Sequence, residues 1–541
     1  MIATKVNKIN FFKNKEKIIS NILLIVTFVI SWNIIKDYGV TLDDEIYYLN
    51  AINTYNYIKN VFLIINNNDL NIDFYRDKLK EWPIIFEVFL VFLCDIFNIT
   101  KIENIYLMSH QLNFIVFFIG LFTFSKLIKK RFNNNYFSFI SIIFYIISPR
   151  IFAESFFNSR DIFFMSLFIF WAYSAFQLLE KKNYSNIIKF SLFSALLINT
   201  KILGIIPLGI FCICYIYNFL NTKEKFFNDR KNITLFMCMT IISIYIFWPF
   251  LWNNPIINLY EAFKNILVVH EGLVVINYYI GEYVASNNTP WHYRIVWFLI
   301  TTPIIVVFLF LYGFTYICIK GVKILTKTLK NKHDFNNKDF YDFFLLFIFI
   351  LSFFVVIEFN NSKFGGWRHL YFLYPIVVYF SIHSLNLIFQ KRIKRPLKIF
   401  IIFSIVINSL YNFIWVYKNH PHQYLYFNLL NKKYFMNNFD LDYWGVTHKT
   451  MINYILNKDN NEKIKISTKG FTDLRNSYLY LDKKDKSRVV ITGIKDAKYI
   501  IDNKMKRVRD YEKIDKNIFS EYYILKIDDF PISKIYKRKD Q

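Results

Sequence analysis

The sequence is short of cysteine, with five in 541 residues: Cys94, Cys212, Cys214, Cys238 and Cys318. All lie in or beside apolar segments and none is paired across a polar loop, so no disulfide framework and no zinc site is implied. Cys212 and Cys214 fall within one hydrophobic run, where they read as small packing residues. Heptads, short-period repeats and low-complexity linkers are also missing, which sets coiled coils and solenoids aside. No Ala-x-Ala cleavage site follows the first apolar run, Ile18–Ile35, so that run is expected to remain an uncleaved helix. Acidic side chains are outnumbered, 40 against 66 Lys and Arg, for a formal net charge of +26. In a soluble protein that excess would point to nucleic acid. Here 55% hydrophobic and 21% aromatic residues are too many for a water-soluble fold. The Lys and Arg gather in short segments between apolar runs, which is the positive-inside pattern and not a groove for nucleic-acid phosphates.

The chain therefore reads as a polytopic α-helical membrane protein. Lys5, Lys8, Lys13, Lys15 and Lys17 precede the first run and hold the N-terminus in the cytoplasm. Trp82–Phe97 is short for a span and interrupted by Glu87 and Asp95, so it is expected to be re-entrant or interfacial. Later runs alternate across the membrane: Ile105–Leu127, Tyr136–Ile147, Asp161–Leu179, Ile187–Asn199, Ile205–Leu220, Ile233–Trp252, Ile295–Ile319, Phe343–Ile357, Leu370–Phe389 and Ile399–Tyr417. Counted with the first, they give about 11 transmembrane helices, with every strongly basic short loop on one side. Counting Trp82–Phe97 as a full span would turn the later basic loops outward. Glu154–Asp161 reads as a polar external turn. Two domains are expected: 1–417 in the membrane, with a first external loop over 37–104, and 418–541 as a small external α/β domain. Strand-like runs in the second fall at Lys463–Thr468, Arg488–Thr492, Lys498–Asp502 and Glu521–Ile527.

With that topology the unusual polar residues fall at external helix ends. Asp43, Asp44 and Glu45 are consecutive carboxylates after the first run, followed by Ile46, Leu49, Ile52, Tyr55 and Ile58 at helical spacing. One reading makes them an acidic helix start, in which a carboxylate caps the helix. Asn158, Arg160 and Asp161 open another span, Lys201 follows Asn199-Thr200, and Arg368-His369 stand before an apolar run. A lone cation there would be snorkelling. Several charged helix ends on one face point instead to a site, because such groups are costly unless paired, hydrated or used. Cations beside carboxylates at the membrane surface suit a lipid phosphate, with a carboxylate as base for an incoming hydroxyl or amine. Trp248–Trp252 and Pro290-Trp291-His292-Tyr293 read mainly as an interfacial aromatic belt, with sugar stacking open to one or two of the rings.

These stretches resemble the GT-C superfamily of membrane glycosyltransferases, in particular its bacterial family-39-like branch of the protein O-mannosyltransferase and aminoarabinose transferase type. The resemblance covers roughly residues 17 to 450 and rests on motif order and topology together. Its pieces are Leu42-Asp43-Asp44-Glu45, Trp82-Pro83, Asn158-Ser159-Arg160-Asp161, Thr200-Lys201-Ile202-Leu203-Gly204, Pro290-Trp291-His292-Tyr293 with Thr301-Thr302-Pro303, and Trp367-Arg368-His369 leading to Tyr374-Pro375. His420–Asn428 and Asp442-Tyr443-Trp444-Gly445 look like a signature of bacterial members. The resemblance implies an inverting transferase of the bacterial inner membrane, taking sugar from a polyprenyl-phosphate donor at the outer face and giving it to a lipid, glycan or protein acceptor. Asp43 or Asp44 would be the base, with Glu45 beside them, and Arg160, Lys201, Arg368 and His369 would hold the donor phosphate. Asp161, Trp291 and His292 would complete the site. Between the two carboxylates, Asp44 is expected to be the base and Asp43 the helix cap. Glu87 departs from relatives that often offer a cation there. Metal use varies across the superfamily, so a divalent ion is left open; the histidines, of which only His420 and His422 lie close together, argue for no site. The rival reading is a transporter of lipid-linked saccharide, for which inverted repeats and midplane charges would be expected.

Overall fold

In a computed structural model the chain is described over residues 21–63, 82–221, 226–272, 274–330, 337–358, 363–390, 394–469, 472–503 and 514–540. The N-terminal lysines and parts of the loops Lys223–Lys231 and Lys320–Lys338 lie outside them. The helices are α1 (residues 21–34), α2 (Asp44–Leu63), α3 (Ile85–Ile96), α4 (Ile102–Phe132), α5 (Asn135–Ile146), α6 (Pro149–Phe157), α7 (Ser159–Glu180), α8 (Tyr184–Ile198), α9 (Ile205–Asn221) and α10 (Phe226–Phe247). They continue as α11 (Pro255–Gly272), α12 (Tyr293–Thr301), α13 (Ile304–Lys330), α14 (Asn337–Glu358), α15 (Tyr374–Gln390), α16 (Arg395–Lys418), α17 (Lys432–Asn438), α18 (Thr447–Lys458), α19 (Arg475–Leu479) and α20 (Lys483–Arg488).

Among the described residues six helices are long and apolar enough to cross a membrane: α4, α7, α13, α14, the run Arg368–Gln390, and α16. The pair α5 and α6, bent by 71°, makes a seventh broken span, and three shorter apolar helices accompany them. α16 leaves Phe400, Phe403, Leu410 and Phe413 more than half exposed, an apolar face for lipid. The protein is a multi-pass helical membrane protein with a sheet-containing C-terminal part.

Two expected segments come out differently. Ile295–Ile319 is not one helix, because Pro303 has no N–H to donate and holds Thr302 extended, so α12 ends and α13 restarts. Glu154–Asp161 is not a turn: Pro149 sits in the first turn of α6, α6 carries the chain to Asn158, and the Asn158 side chain caps α7 by accepting the Asp161 N–H at 3.0 Å. That short buried helix presses Glu154, Asn158 and Asp161 inward.

Helices meet closely where side chains are small. A Cβ on Gly313 of α13 would lie 2.2 Å from the Phe380 carbonyl of α15, and Ser381 donates back to Val306 O at 3.2 Å. The core of the membrane part is aromatic and extends beyond α16 to Tyr424, Leu425, Tyr426, Phe427 and Trp444. The C-terminal part has its own core, built on Met451, Ile455, Ile464 and Ile501. Its sheet orders the strands β4 (Val489–Ile491), β3 (Ile464–Thr468), β5 (Tyr499–Asn503), β7 (Phe530–Arg538) and β6 (Phe519–Ile527), parallel where β3 meets β4 and β5 and antiparallel elsewhere. The sequence reading omits β7, and also the hairpin β1 (Ile276–Tyr279) and β2 (Glu282–Ala285), whose turn puts Ile280 and Gly281 at positive φ.

Candidate active site

The acidic stretch lies where the chain leaves α1 and enters α2. Asp44 turns back on its own turn: its Oδ2 accepts the Thr41 N–H at 2.7 Å, while its N–H donates to Thr41 O at 3.4 Å. Burial pushes the Asp44 carboxyl up to about 7, against the pull of the Thr41 bond. Asp43 points the other way, is 30% exposed, and accepts from Arg368 Nη1 at 3.3 Å. The expected division of labour is thus reversed in its structural half, with Asp44 making the bond at the helix start and Asp43 facing the cation. Glu45 leaves the cluster and pairs with Arg475 of α19 at 3.0 Å.

Arg368 is delivered by the loop before α15. Gly365 and Gly366 take φ of +66° and +68°, and a Cβ on Gly365 would fall 2.7 Å from Arg368 Nε, so this bend needs glycine on both counts. The guanidinium carbon stands 4.3 Å from the Trp444 ring centre and 5.1 Å from that of Tyr443, whose hydroxyl accepts from Nη2 at 3.3 Å. Arg368 Nη1 also lies 3.9 Å from Asp161 Oδ2, while Nε has no hydrogen-bond partner. Asp161 is buried, held by Asn158 Nδ2 at 2.9 Å and paired with Lys201 Nζ. Burial holds the Lys201 amine below its usual range, with Asp161 opposing.

Arg160 forms the flank. It donates to Pro83 O at 3.3 Å, sits 4.2 Å from the Tyr47 ring centre and lies 3.7 Å from Glu87. Glu87, the departure noted in the sequence, is therefore its counter-ion; burial raises the Glu87 carboxyl, and Arg160 opposes that rise. Asp43, Asp161, Lys201 and Arg368 form one connected set, with Arg160 and Asp44 at its edge. His369, next along the chain, turns its ring toward Phe364, at 5.7 Å between centres. Trp291 and His292 are not drawn in: Trp291 is 65% exposed, and His292 Nδ1 meets Tyr279 OH at 2.7 Å beside the hairpin. From the same motif Tyr293 does reach the site loop, accepting the Gly366 N–H at 3.1 Å.

Sequence reasoning missed three groups. Glu154 accepts from Tyr371 OH and Asn158 Nδ2, both at 2.6 Å, beneath Asp161. Tyr47 presents its ring to the Arg160 guanidinium, 4.2 Å from ring centre to guanidinium carbon. Arg294, fully buried in α12, stands immediately before the apolar run Ile295–Ile319, and a cation at that run's edge is the signal available. Among the described residues no group of three or more His, Cys, Asp or Glu side chains is arranged to hold a metal ion.

No protein-family model and no curated protein matches the sequence. Several solved structures are similar in outline, two of them as follows. ArnT from Cupriavidus metallidurans bound to undecaprenyl phosphate has 10% identity and a TM-score of 0.46, over 95% of this chain and 97% of that one. The Archaeoglobus fulgidus oligosaccharyltransferase complex with Zn and sulfate has 12% identity and a TM-score of 0.42, over 78% of this chain. The match spans 59% of the archaeal enzyme's length. At these scores neither likeness carries weight by itself; the geometry has to.

Proposed function

We propose that this chain is a GT-C-type glycosyltransferase that moves a sugar from a polyprenyl-phosphate donor to an acceptor at the outer face of the bacterial inner membrane. The observation that carries the reading is Arg368: a buried guanidinium against two aromatic rings, shared between Asp43 and Asp161, with Lys201 on the far side of Asp161. A lipid phosphate arriving at the headgroup level meets a fork from Arg368 and a point charge from Lys201. Asp43, released from Arg368 as the phosphate takes its place, is left beside the anomeric carbon's far face. The acceptor oxygen attacks that carbon with inversion, the bond to the phosphate oxygen breaks, and the acceptor proton passes to the Asp43 carboxylate. Polyprenyl phosphate leaves with the electron pair, and Arg368 and Lys201 balance its charge.

Asp43 is preferred to Asp44 because a base must reach its proton before its pKa matters, and Asp44 Oδ2 is committed to the Thr41 N–H. The basic short loops support this orientation, and the exposed Asn460 tests it: a cysteine there should react with an impermeant reagent added from outside. Activity is tested with the full chain in nanodiscs, following loss of polyprenyl-phosphate sugar and the anomeric configuration of the product. Inversion and turnover are expected. Movement of the lipid-linked sugar across vesicles without turnover would replace this reading with the transporter.

A further inference from the structure

Tyr443 and Trp444, two of the rings beside Arg368, occupy a loop that one carboxylate closes. Asp442 is 0% exposed. Its Oδ1 accepts the Val446 N–H at 3.2 Å and its Oδ2 the Thr447 N–H at 3.3 Å, so Tyr443, Trp444 and Gly445 are enclosed between the carboxylate and the two residues it binds. The Thr447 hydroxyl donates to Oδ2 as well. From outside the loop, Tyr424 OH donates to Oδ1 at 2.8 Å, and Asn503 Nδ2 of β5 stands 3.5 Å from Oδ2. A carboxylate has about four acceptor sites, and Tyr424, Val446 and Thr447 fill them.

Asp442 thereby caps α18, which starts at Thr447. The same bonds also fix where the two rings stand, and Arg368 depends on them. Its carboxylate contacts are long, 3.3 Å to Asp43 and 3.9 Å to Asp161, and the first is given up when a phosphate takes its place. What stays is the Trp444 ring at 4.3 Å, the Tyr443 ring at 5.1 Å, the Phe364 ring at 5.5 Å and the Tyr443 hydroxyl at 3.3 Å. These groups are neutral, so they hold the guanidinium in place without cancelling the charge a phosphate needs. We propose that Asp442 is a positioning residue of the donor-phosphate site: by closing the loop from Asp442 to Thr447 it sets Tyr443 and Trp444, and through them Arg368. This rests on the reading above and adds to it the group that preorganises its cation.

The test measures undecaprenyl phosphate binding to the full chain in nanodiscs, with melting temperature alongside. An amide has one acceptor oxygen where Asp442 has two, so D442N deprives either Tyr424 and Val446 or Thr447 of its acceptor. It should weaken lipid binding about three- to tenfold. T447V deletes only the hydroxyl bond to the same carboxylate and should weaken binding about twofold. In an R368K background, where the fork is already lost, each change should shift the lipid Kd by less than about 1.5-fold, because its effect passes through Arg368. A carboxylate that served α18 alone would cost melting temperature in both backgrounds and leave the lipid Kd untouched. Parental affinity in folded D442N or in T447V overturns the proposal, and so does an equal loss in the R368K background. T447V keeps the carboxylate, so the idea can still fail if D442N does not fold. A parent protein that binds no undecaprenyl phosphate overturns the glycosyltransferase reading itself, and this inference with it.

Discussion

Two Arg–Asp clusters stand at different levels along the run Arg368–Gln390, one at Arg368 where it starts and one packed on its later turns at Tyr379 and His383, and their chemistry is nearly the same. At the ends that carry the basic loops, Arg131 of α4 donates to Asp342 of α14 through Nε at 3.1 Å and Nη2 at 2.5 Å. Tyr379 OH donates to the same carboxylate at 2.5 Å, and His383 Nε2 lies 3.5 Å away. Asp342 is 0% exposed and both its oxygens are occupied. At the other end Arg368 is spread over Asp43 at 3.3 Å and Asp161 at 3.9 Å, keeps an unused Nε, and leaves Asp43 30% exposed. Burial and ion pairing are common to both. Satisfaction separates them: the Arg131 cluster is closed and holds helices together, whereas the Arg368 cluster has long contacts, open donors and a route to solvent, and so has capacity for a ligand.

The comparison can be broken at its carboxylates, where the effects are largest. Asp43→Asn is expected to lower turnover about 10²–10⁴-fold with the melting temperature unchanged, the loss of a general base. Asp342→Asn strips Arg131 of its counter-charge and is expected to cost roughly 3–5 kcal/mol of stability, with turnover per folded molecule near that of the parent. A large rate effect from Asp342→Asn at normal stability would erase the distinction. At the cations, Arg368→Lys keeps the charge but loses the fork and its stacking on Tyr443 and Trp444, so the donor KM should rise about tenfold or more. Arg131→Lys should show itself in thermal stability and leave KM alone.

Much of the Arg368 cluster was legible because a membrane makes charge conspicuous. Asp43, Arg160, Asp161, Lys201 and Arg368 each stand at the end of an apolar run, and the reading of alternating basic loops puts them on one face before any contact is known. The Arg131 cluster escaped notice because Arg131 and Asp342 lie at the edges of basic loops and look solvated in one dimension. The rotation of Asp43 against Asp44 was also illegible. Neighbouring residues at a helix start diverge, and only the Thr41 N–H decides which one turns inward. The break at Pro303 is visible as a proline, yet hydropathy runs on through it from Ile295 to Ile319; Pro149 falls just beyond the run Tyr136–Ile147, where the polar residues read as a turn and not as the helix α6. β7 carries Lys534, Lys537 and Arg538 between its apolar residues and reads as a polar tail until β5 pairs with it.

Asp44 sharpens the comparison in a smaller way, through pH. Its carboxyl moves from 3.8 to about 7 on folding, chiefly through burial, so the folded state binds the proton more tightly than the unfolded one. A raised folded value contributes stability that is complete below about pH 4, fades as pH rises, and is gone above about pH 7. Asp44→Asn stays neutral throughout and its amide oxygen can still accept the Thr41 N–H. The parent should therefore lose more melting temperature than the variant between pH 5 and pH 8. Equal slopes would remove Asp44 from the buried set and reopen its claim to be the base.

The smallest effect belongs to the C-terminal part, which touches the acidic stretch in two ways. Asn476 is buried and its Nδ2 donates to Thr41 O at 2.8 Å, with Leu42 O at 3.4 Å, so it grips the backbone just before Asp43. Arg475 pairs with Glu45, but its side chain is 64% exposed, and such a pair is worth only about 0–1 kcal/mol. A net hydrogen bond to a buried carbonyl is worth about 1 kcal/mol, and its loss frees the turn that aims Asp43. Asn476→Ala should lower kcat a few-fold with the donor KM unchanged, because Arg368 and Lys201 are not held through it. Arg475→Ala should leave both constants near the parent's. A change in KM from Asn476→Ala, or equal kcat losses in the two variants, would mean the C-terminal part acts on the donor or on folding at large, and not through the backbone that positions Asp43.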